Sequence, residues 1–115
     1  MAYHSTDLDR LFQALADPTR RAILAQLARG PASVSDLAAP FDMALPSFMA
    51  HLRRLEDGGL IETTKQGRVR TCALVPDAFA PAQDWLAAQR AEWEARLDRL
   101  DDYIRNLMKD RDNGH

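Results

Sequence analysis

The run Met43-Ala44-Leu45-Pro46-Ser47-Phe48-Met49-Ala50-His51-Leu52-Arg53-Arg54-Leu55-Glu56-Asp57-Gly58-Gly59-Leu60-Ile61 has the spacing of one helix with a built-in stop. Phe48, Leu52 and Leu55 recur at intervals of four and three, which places them on one face and makes that face the buried one. Pro46, Ala50, Arg53 and Asp57 then form the opposite face, with Ser47 and Arg54 beside it. Gly58 and Gly59 supply the left-handed conformation that ends a helix, and Leu60 folds back onto the last apolar turn. The helix is expected to stop at about Asp57.

Downstream, 60–64 and 68–74 are rich in β-branched residues and flank Lys65-Gln66-Gly67, a short turn with glycine where positive φ is wanted. The reading is a hairpin with Lys65, Arg68 and Arg70 near its tip. A short helix with a small outer face, followed by a cationic hairpin, suits a DNA major groove and its flanking phosphates.

Upstream, Thr6 is placed to cap a first helix whose Leu8, Leu11, Phe12 and Leu15 form an i, i+3, i+4, i+7 stripe. Asp17-Pro18 reads as an N-cap followed by proline at the first helical position, opening a second helix to about Ala28 that buries Ile23, Leu24 and Leu27. Gly30-Pro31 ends it. Ser33 opens a short third helix, with Asp36 three residues on and Pro40 closing it. Residues 41–45 are the turn leading into the helix described first. Beyond a loop bracketed by Pro76 and Pro81, the stretch 82–108 has no Gly or Pro and reads as one long helix. Leu86, Trp93, Leu97, Leu100, Ile104 and Leu107 lie seven, four, three, four and three apart, a heptad seam with Arg90 in its register. Such a seam needs another helix against it, and a period of 3.5 favours a second chain over a fold back along the domain. Residues 111–115 are polar and expected to fray.

These motifs resemble the ArsR-like winged helix-turn-helix repressors of bacteria, in particular the branch without metal sites that includes SdpR-like regulators. The resemblance covers nearly the whole chain and rests on residues 15–24, LADPTRRAIL, on His51-Leu52 through Gly59-Leu60-Ile61, and on Gly67-Arg68-Val69-Arg70. It implies a mainly α fold with a small β-hairpin wing and a long C-terminal dimerisation helix. The chain is then a single domain over 1–115, with a winged-helix core over 1–81 and the dimerisation helix over 82–110. The implied function is a metal-independent, homodimeric repressor that binds a double-stranded DNA operator. Its DNA-contacting residues are expected to be Ser47, Met49, Ala50, His51, Arg53, Arg54, Lys65, Arg68 and Arg70. Its dimer contacts are expected to be Leu8, Leu11, Phe12, Trp93, Leu97, Leu100, Ile104 and Leu107.

Composition sets the bounds on this reading. A chain of 115 residues, 46% hydrophobic and 28% charged, is one soluble domain with a modest core. No apolar run reaches a membrane span, and no charged N-terminal segment precedes an apolar one, so a cytoplasmic location is expected. The net charge of −2 is unusual for a nucleic-acid binder, but it is unevenly distributed. Residues 1–44 carry −1, residues 45–75 carry +2, and residues 76–115 carry −3. The positive charge coincides with the groove-facing elements, and its small size implies modest, salt-sensitive affinity.

Candidate chemistry elsewhere is thin. His51 flanks the core stripe, within reach of a phosphate and without a second histidine at helical spacing. His4 and His115 sit at the termini and read as solvated ends. Cys72, the one cysteine, shares strand parity with Leu74 and reads as a small buried hydrophobe, with a redox switch as the alternative. Asp98, Asp101 and Asp102 lie at salt-bridging spacings from Arg96, Arg99 and Arg105, the pattern of a solvated helix face. Metal-sensing relatives carry Cys-Val-Cys where this chain has Ser33-Val34-Ser35, and no histidine falls between Ala82 and Met108, so neither a metal nor a cofactor is expected. No catalytic triad or phosphate-binding glycine loop is present, and an enzyme is not expected. Relatives place a Ser or Thr cap before the recognition helix and Ser, Thr, Gln or His on its first turns. Ala44, Met49 and Ala50 stand there instead, leaving Ser47, Arg53 and Arg54 as polar readers, with Met49 and Ala50 suited to thymine methyl groups and part of the specificity left to DNA shape. The rival readings are a winged-helix dimer that binds a protein partner, and a thiol- or metal-responsive sensor of the same family. Neither the operator nor any small-molecule effector is legible.

Overall fold

The computed structural model describes residues 5–113, in the order α1 (Ser5–Leu15), α2 (Pro18–Leu27), β1 (Ala32–Ser33), α3 (Val34–Ala38), α4 (Leu45–Asp57), β2 (Ile61–Gln66), β3 (Val69–Leu74) and α5 (Ala80–Asn113). Residues up to Ala82 make one compact unit and those from Gln83 onward a second. This is a winged helix-turn-helix: mainly helical, with a small antiparallel sheet and a long C-terminal helix. His4 and His115 lie outside the described residues.

Local chemistry explains most boundaries. Asp17 caps α2, its carboxylate accepting from the Arg20 backbone N–H at 3.0 Å, with Pro18 in the first turn. Ser33 does the same for α3, its hydroxyl accepting from the Asp36 N–H at 3.1 Å. At the end of α4, the Leu60 N–H donates to the Leu55 carbonyl at 3.0 Å and the Gly59 N–H to Glu56 at 2.9 Å, a Schellman motif with Gly59 at φ +73°. Gly58 has an ordinary φ of −78°, so only one of the two glycines is left-handed. Gly58 instead lets α1 and α4 approach closely: a Cβ there would lie 2.9 Å from Ala14 Cβ and 3.1 Å from the Arg10 carbonyl oxygen.

The sheet order is β1-β3-β2, all antiparallel, with Ala32 opposite Cys72 and Ile61 opposite Leu74. The strand β1 is an addition to the expected hairpin. The turn also differs from expectation: Gln66 pairs with Val69, so the loop is Gly67-Arg68, with Gly67 at φ +61° in its first position, the pattern of a type II′ turn. β2 therefore runs two residues closer to the tip than the sequence suggests, whereas β3 starts one residue later, at Val69. Two helix starts move as well. Helix α1 already includes Ser5, so Thr6 is not its cap, and α5 begins at Ala80 because proline is tolerated in a first turn, as Pro81 is here.

The core of the first unit joins Leu11 and Ala14 of α1, Ile23 and Leu27 of α2, Leu37 of α3, and Phe48, Leu52 and Leu55 of α4 to Ile61 and Cys72 of the sheet. The Phe48, Leu52, Leu55 face is buried as its spacing requires. The second unit is helix alone, and the seam residues Leu86, Trp93, Leu97, Leu100, Ile104 and Leu107 are 46–61% exposed. Its charged flanks pair along the helix, Arg96 with Glu92 at 2.8 Å and Arg90 with Glu94 at 3.3 Å.

Candidate nucleic-acid interface

Helix α4 is fixed at its start, middle and end. At its start, Phe41 from the preceding turn packs on Phe48, ring centroids 5.6 Å apart. At its end, beside the Schellman motif, the Thr63 hydroxyl of β2 donates to the Glu56 carboxylate. In its middle, Arg20 of α2 holds His51. The Arg20 Nη1 lies 3.1 Å from His51 Nδ1, while its Nε and Nη2 each donate at 2.8 Å to the carbonyls of Ala14 and Gln13 at the end of α1. Arg21 adds a bond to the Leu15 carbonyl at 2.8 Å. Two arginines of α2 thus satisfy the carbonyls of Gln13, Ala14 and Leu15 at the end of α1, and one of them reaches α4.

A guanidinium has only donors, so His51 Nδ1 accepts and the proton of the neutral ring sits on Nε2. Among the described residues no side-chain nitrogen or oxygen is both closed to solvent and without a hydrogen bond, so Nε2, which has no protein partner, faces solvent as a donor. The carboxylate of Asp17 lies 3.8 Å from the same Nδ1. Burial pushes the Asp17 carboxyl up, but the Arg20 backbone N–H, the Arg20 guanidinium and the Thr19 backbone N–H act against it, and the group is held below its ordinary range. A depressed carboxylate stabilises the fold above the ordinary Asp range, and that contribution fades as pH falls through the folded-state value.

Arg20→Ala removes all three side-chain bonds at once. The expected result is a loss of roughly 1–3 kcal/mol in urea unfolding, since bonds to charged donors fall in this range and the site is only partly buried. Arg20→Lys, with a point charge instead of a fork, should recover only part of it. A loss below about 0.5 kcal/mol for Arg20→Ala would show that the network is decorative.

On the outer side of α4, Ser47, Ala50, Arg53 and Arg54 are exposed, and Met49 and His51 are half-buried. Lys65 and Arg70 face each other across the ladder, and Arg68 occupies the turn; all three are exposed. A groove of about 340 Å³ joins the two elements, lined by Ser33, Val34, Ser35, Leu45, Met49, Arg68, Val69 and Arg70. It gathers Met49, Arg68 and Arg70 in one place, whereas Ser47, Ala50, Arg53 and Arg54 lie outside its lining. Leu45 and Val69 are lining residues that sequence reading missed. Leu45 stands three before Phe48 and so shares the spacing of the buried stripe, yet it is 59% exposed because the first turn of α4 extends past the core.

Of the other singled-out residues, Cys72 is fully buried, as its strand parity suggests. Burial pushes its thiol up against the opposing effect of the Thr63 hydroxyl 3.8 Å away, which keeps it protonated and a poor nucleophile. Leu11 sits in the core of its own subunit, which leaves it little surface for a partner; Leu8 and Phe12 are half-buried.

A helix-turn-helix domain family matches residues 15–64. The chain is similar to the crystal structure of an ArsR family transcriptional regulator, RHA00566, at 61% identity with a TM-score of 0.77, covering 82% of this chain and 97% of that one. It is 33% identical to the arsenical resistance operon repressor of Escherichia coli (strain K12), over 91% of this chain and 88% of the relative. The chain belongs to the ArsR family of winged-helix transcriptional regulators. A further ArsR-like structure, the solution structure of the homodimeric winged helix-turn-helix DNA-binding domain Mb0332 from Mycobacterium bovis, is 29% identical with a TM-score of 0.60, covering 79% of this chain and 93% of that one. In this ArsR-family member Ala44 gives α4 no side-chain cap. Among the described residues no helix is long and apolar enough to cross a membrane.

Proposed function

We propose that this ArsR-family regulator is a cytoplasmic, metal-independent repressor that binds operator DNA as a homodimer. Each subunit lays α4 in a major groove, with half-sites about one helical turn, roughly 34 Å, apart. The observation that carries the reading is the groove that joins the outer side of α4 to the cationic wing. Lys65 and Arg70 directly opposite each other repel, and a phosphate beside them relieves that repulsion. His51 offers its outward Nε2–H as a further phosphate donor. Dimerisation rests on the exposed α5 seam, where Trp93, Leu97, Leu100, Ile104 and Leu107 meet their counterparts and Leu8 and Phe12 add apolar surface. Metal independence rests on Ser33 and Ser35, whose hydroxyls do not hold soft metals as thiolates do. The protein-binding rival draws on the exposed Leu45 and Val69, which are unusual on a DNA-facing surface.

The test compares Arg68→Ala with Arg53→Ala on an operator duplex recovered by selection from a random pool, and on random DNA, at several salt concentrations. Arg68, at the wing tip, should weaken binding to both DNAs and lower the salt slope by roughly one unit per subunit, whereas Arg53, on a packed helix, should cost about 1–3 kcal/mol on the operator alone. Equal losses on both DNAs for Arg53→Ala would assign that side chain to phosphates. No loss for either variant would remove the DNA-binding role from this face.

A further inference from the structure

The groove between α4 and the wing is lined by both aliphatic and cationic side chains. Leu45 and Met49 lie one turn apart on α4, and Val69 faces them from the first residue of β3. Leu45 and Val69 are 59% and 54% exposed, a large apolar outlay at the edge of a small domain. Arg68 and Arg70 line the same groove. Besides the arginines, the polar groups of the lining are the hydroxyls of Ser33 and Ser35, and that of Ser33 already accepts from the Asp36 N–H as the cap of α3. A guanine or adenine edge set against Leu45, Met49 and Val69 themselves would leave its acceptors or amino group unpaired, whereas the two arginines are free to serve phosphates or a neighbouring base. A thymine presents its C5-methyl, the one apolar group on the major-groove edge of an unmodified base pair, with backbone phosphates within reach of the two arginines.

We infer that Leu45, Met49 and Val69 form a methyl-reading surface, and that the operator carries a thymine in each half-site opposite the first turns of α4. The inference rests on the DNA-binding reading above. It turns the two exposed side chains that favour a protein partner into determinants of base specificity.

The probe is the selected operator duplex, synthesised once with thymidine and once with deoxyuridine in its place. The replacement removes the methyl groups and keeps every base-pairing hydrogen bond. Burying a methyl is worth about fourfold in affinity, so with two half-sites the deoxyuridine duplex should bind roughly tenfold or more weakly, with the same salt slope. Leu45→Ala alters an exposed residue and should leave the circular dichroism spectrum unchanged while shrinking the thymidine preference. Leu45→Ala combined with Met49→Ala should bring the two duplexes within about twofold of each other. Equal binding of the two duplexes by the wild type would overturn the inference. So would a preference that survives undiminished in both variants, because the methyl groups would then act through DNA shape. If selection recovers no duplex at all, the DNA-binding reading fails first and the inference falls with it.

Discussion

Leu100→Asp should leave the protein monomeric at concentrations where the wild type is a dimer. Leu100 sits mid-seam on α5, 52% exposed in the single chain, with Leu97 and Ile104 on either side at heptad spacing. A helix of 34 residues with an apolar stripe along it draws little stability from its own hydrogen bonds and depends on burying that stripe. Twofold symmetry places each substitution twice in the interface, and a carboxylate moved into an apolar contact costs several kcal/mol. Light scattering on the variant reads the outcome, and a stable dimer would locate the interface away from the α5 seam. DNA affinity should fall with dimerisation, because a monomer engages one half-site without the effective concentration that links it to the second.

The second large effect concerns the crossing of α1 and α4. Gly58→Val should cost about 3 kcal/mol or more in urea unfolding, because the added Cβ meets Ala14 Cβ at 2.9 Å and the Arg10 backbone at 3.1 Å, and the backbone oxygen cannot step aside. The φ of −78° is open to any residue, so the cost is steric alone. Gly59→Ala separates the other effect. Nothing lies within 4 Å of its Cβ, and the cost, about 1–2 kcal/mol, comes from the φ of +73°. If Gly59 proved the more sensitive position, the close approach of the two helices would not be what Gly58 provides.

These two glycines also show what was legible in the sequence. The Gly-Gly pair announces the end of α4, but which glycine turns left-handed and which admits a neighbour depends on α1, some forty residues upstream. Periodicity located the buried face of α4 correctly because Phe48, Leu52 and Leu55 all lie over the core. The same periodicity misplaces Leu45, since spacing reports direction and not distance from the core. The wing's existence was legible from its β-branched runs and Gly67, whereas its turn is Gly67-Arg68 and not Lys65-Gln66-Gly67, because this two-residue loop takes its positive φ at the first position. A two-residue strand such as β1 has no periodicity to read and exists only because β3 offers a second edge. Within the site, the cations of the wing and the outer side of α4 could be named from composition and spacing. The hold of Arg20 on His51 could not, because the two are 31 residues apart and no local pattern links them.

The measurement that bears most directly on the account is the affinity of the wild-type protein for DNA from upstream of its own gene across a salt series. Two subunits, each placing two to four of Arg53, Lys65, Arg68 and Arg70 near phosphates, predict that log K falls with log salt at a slope between about −4 and −7. A complex that never forms, or one whose affinity is flat across the series, would contradict a DNA-binding dimer that works through α4 and the wing.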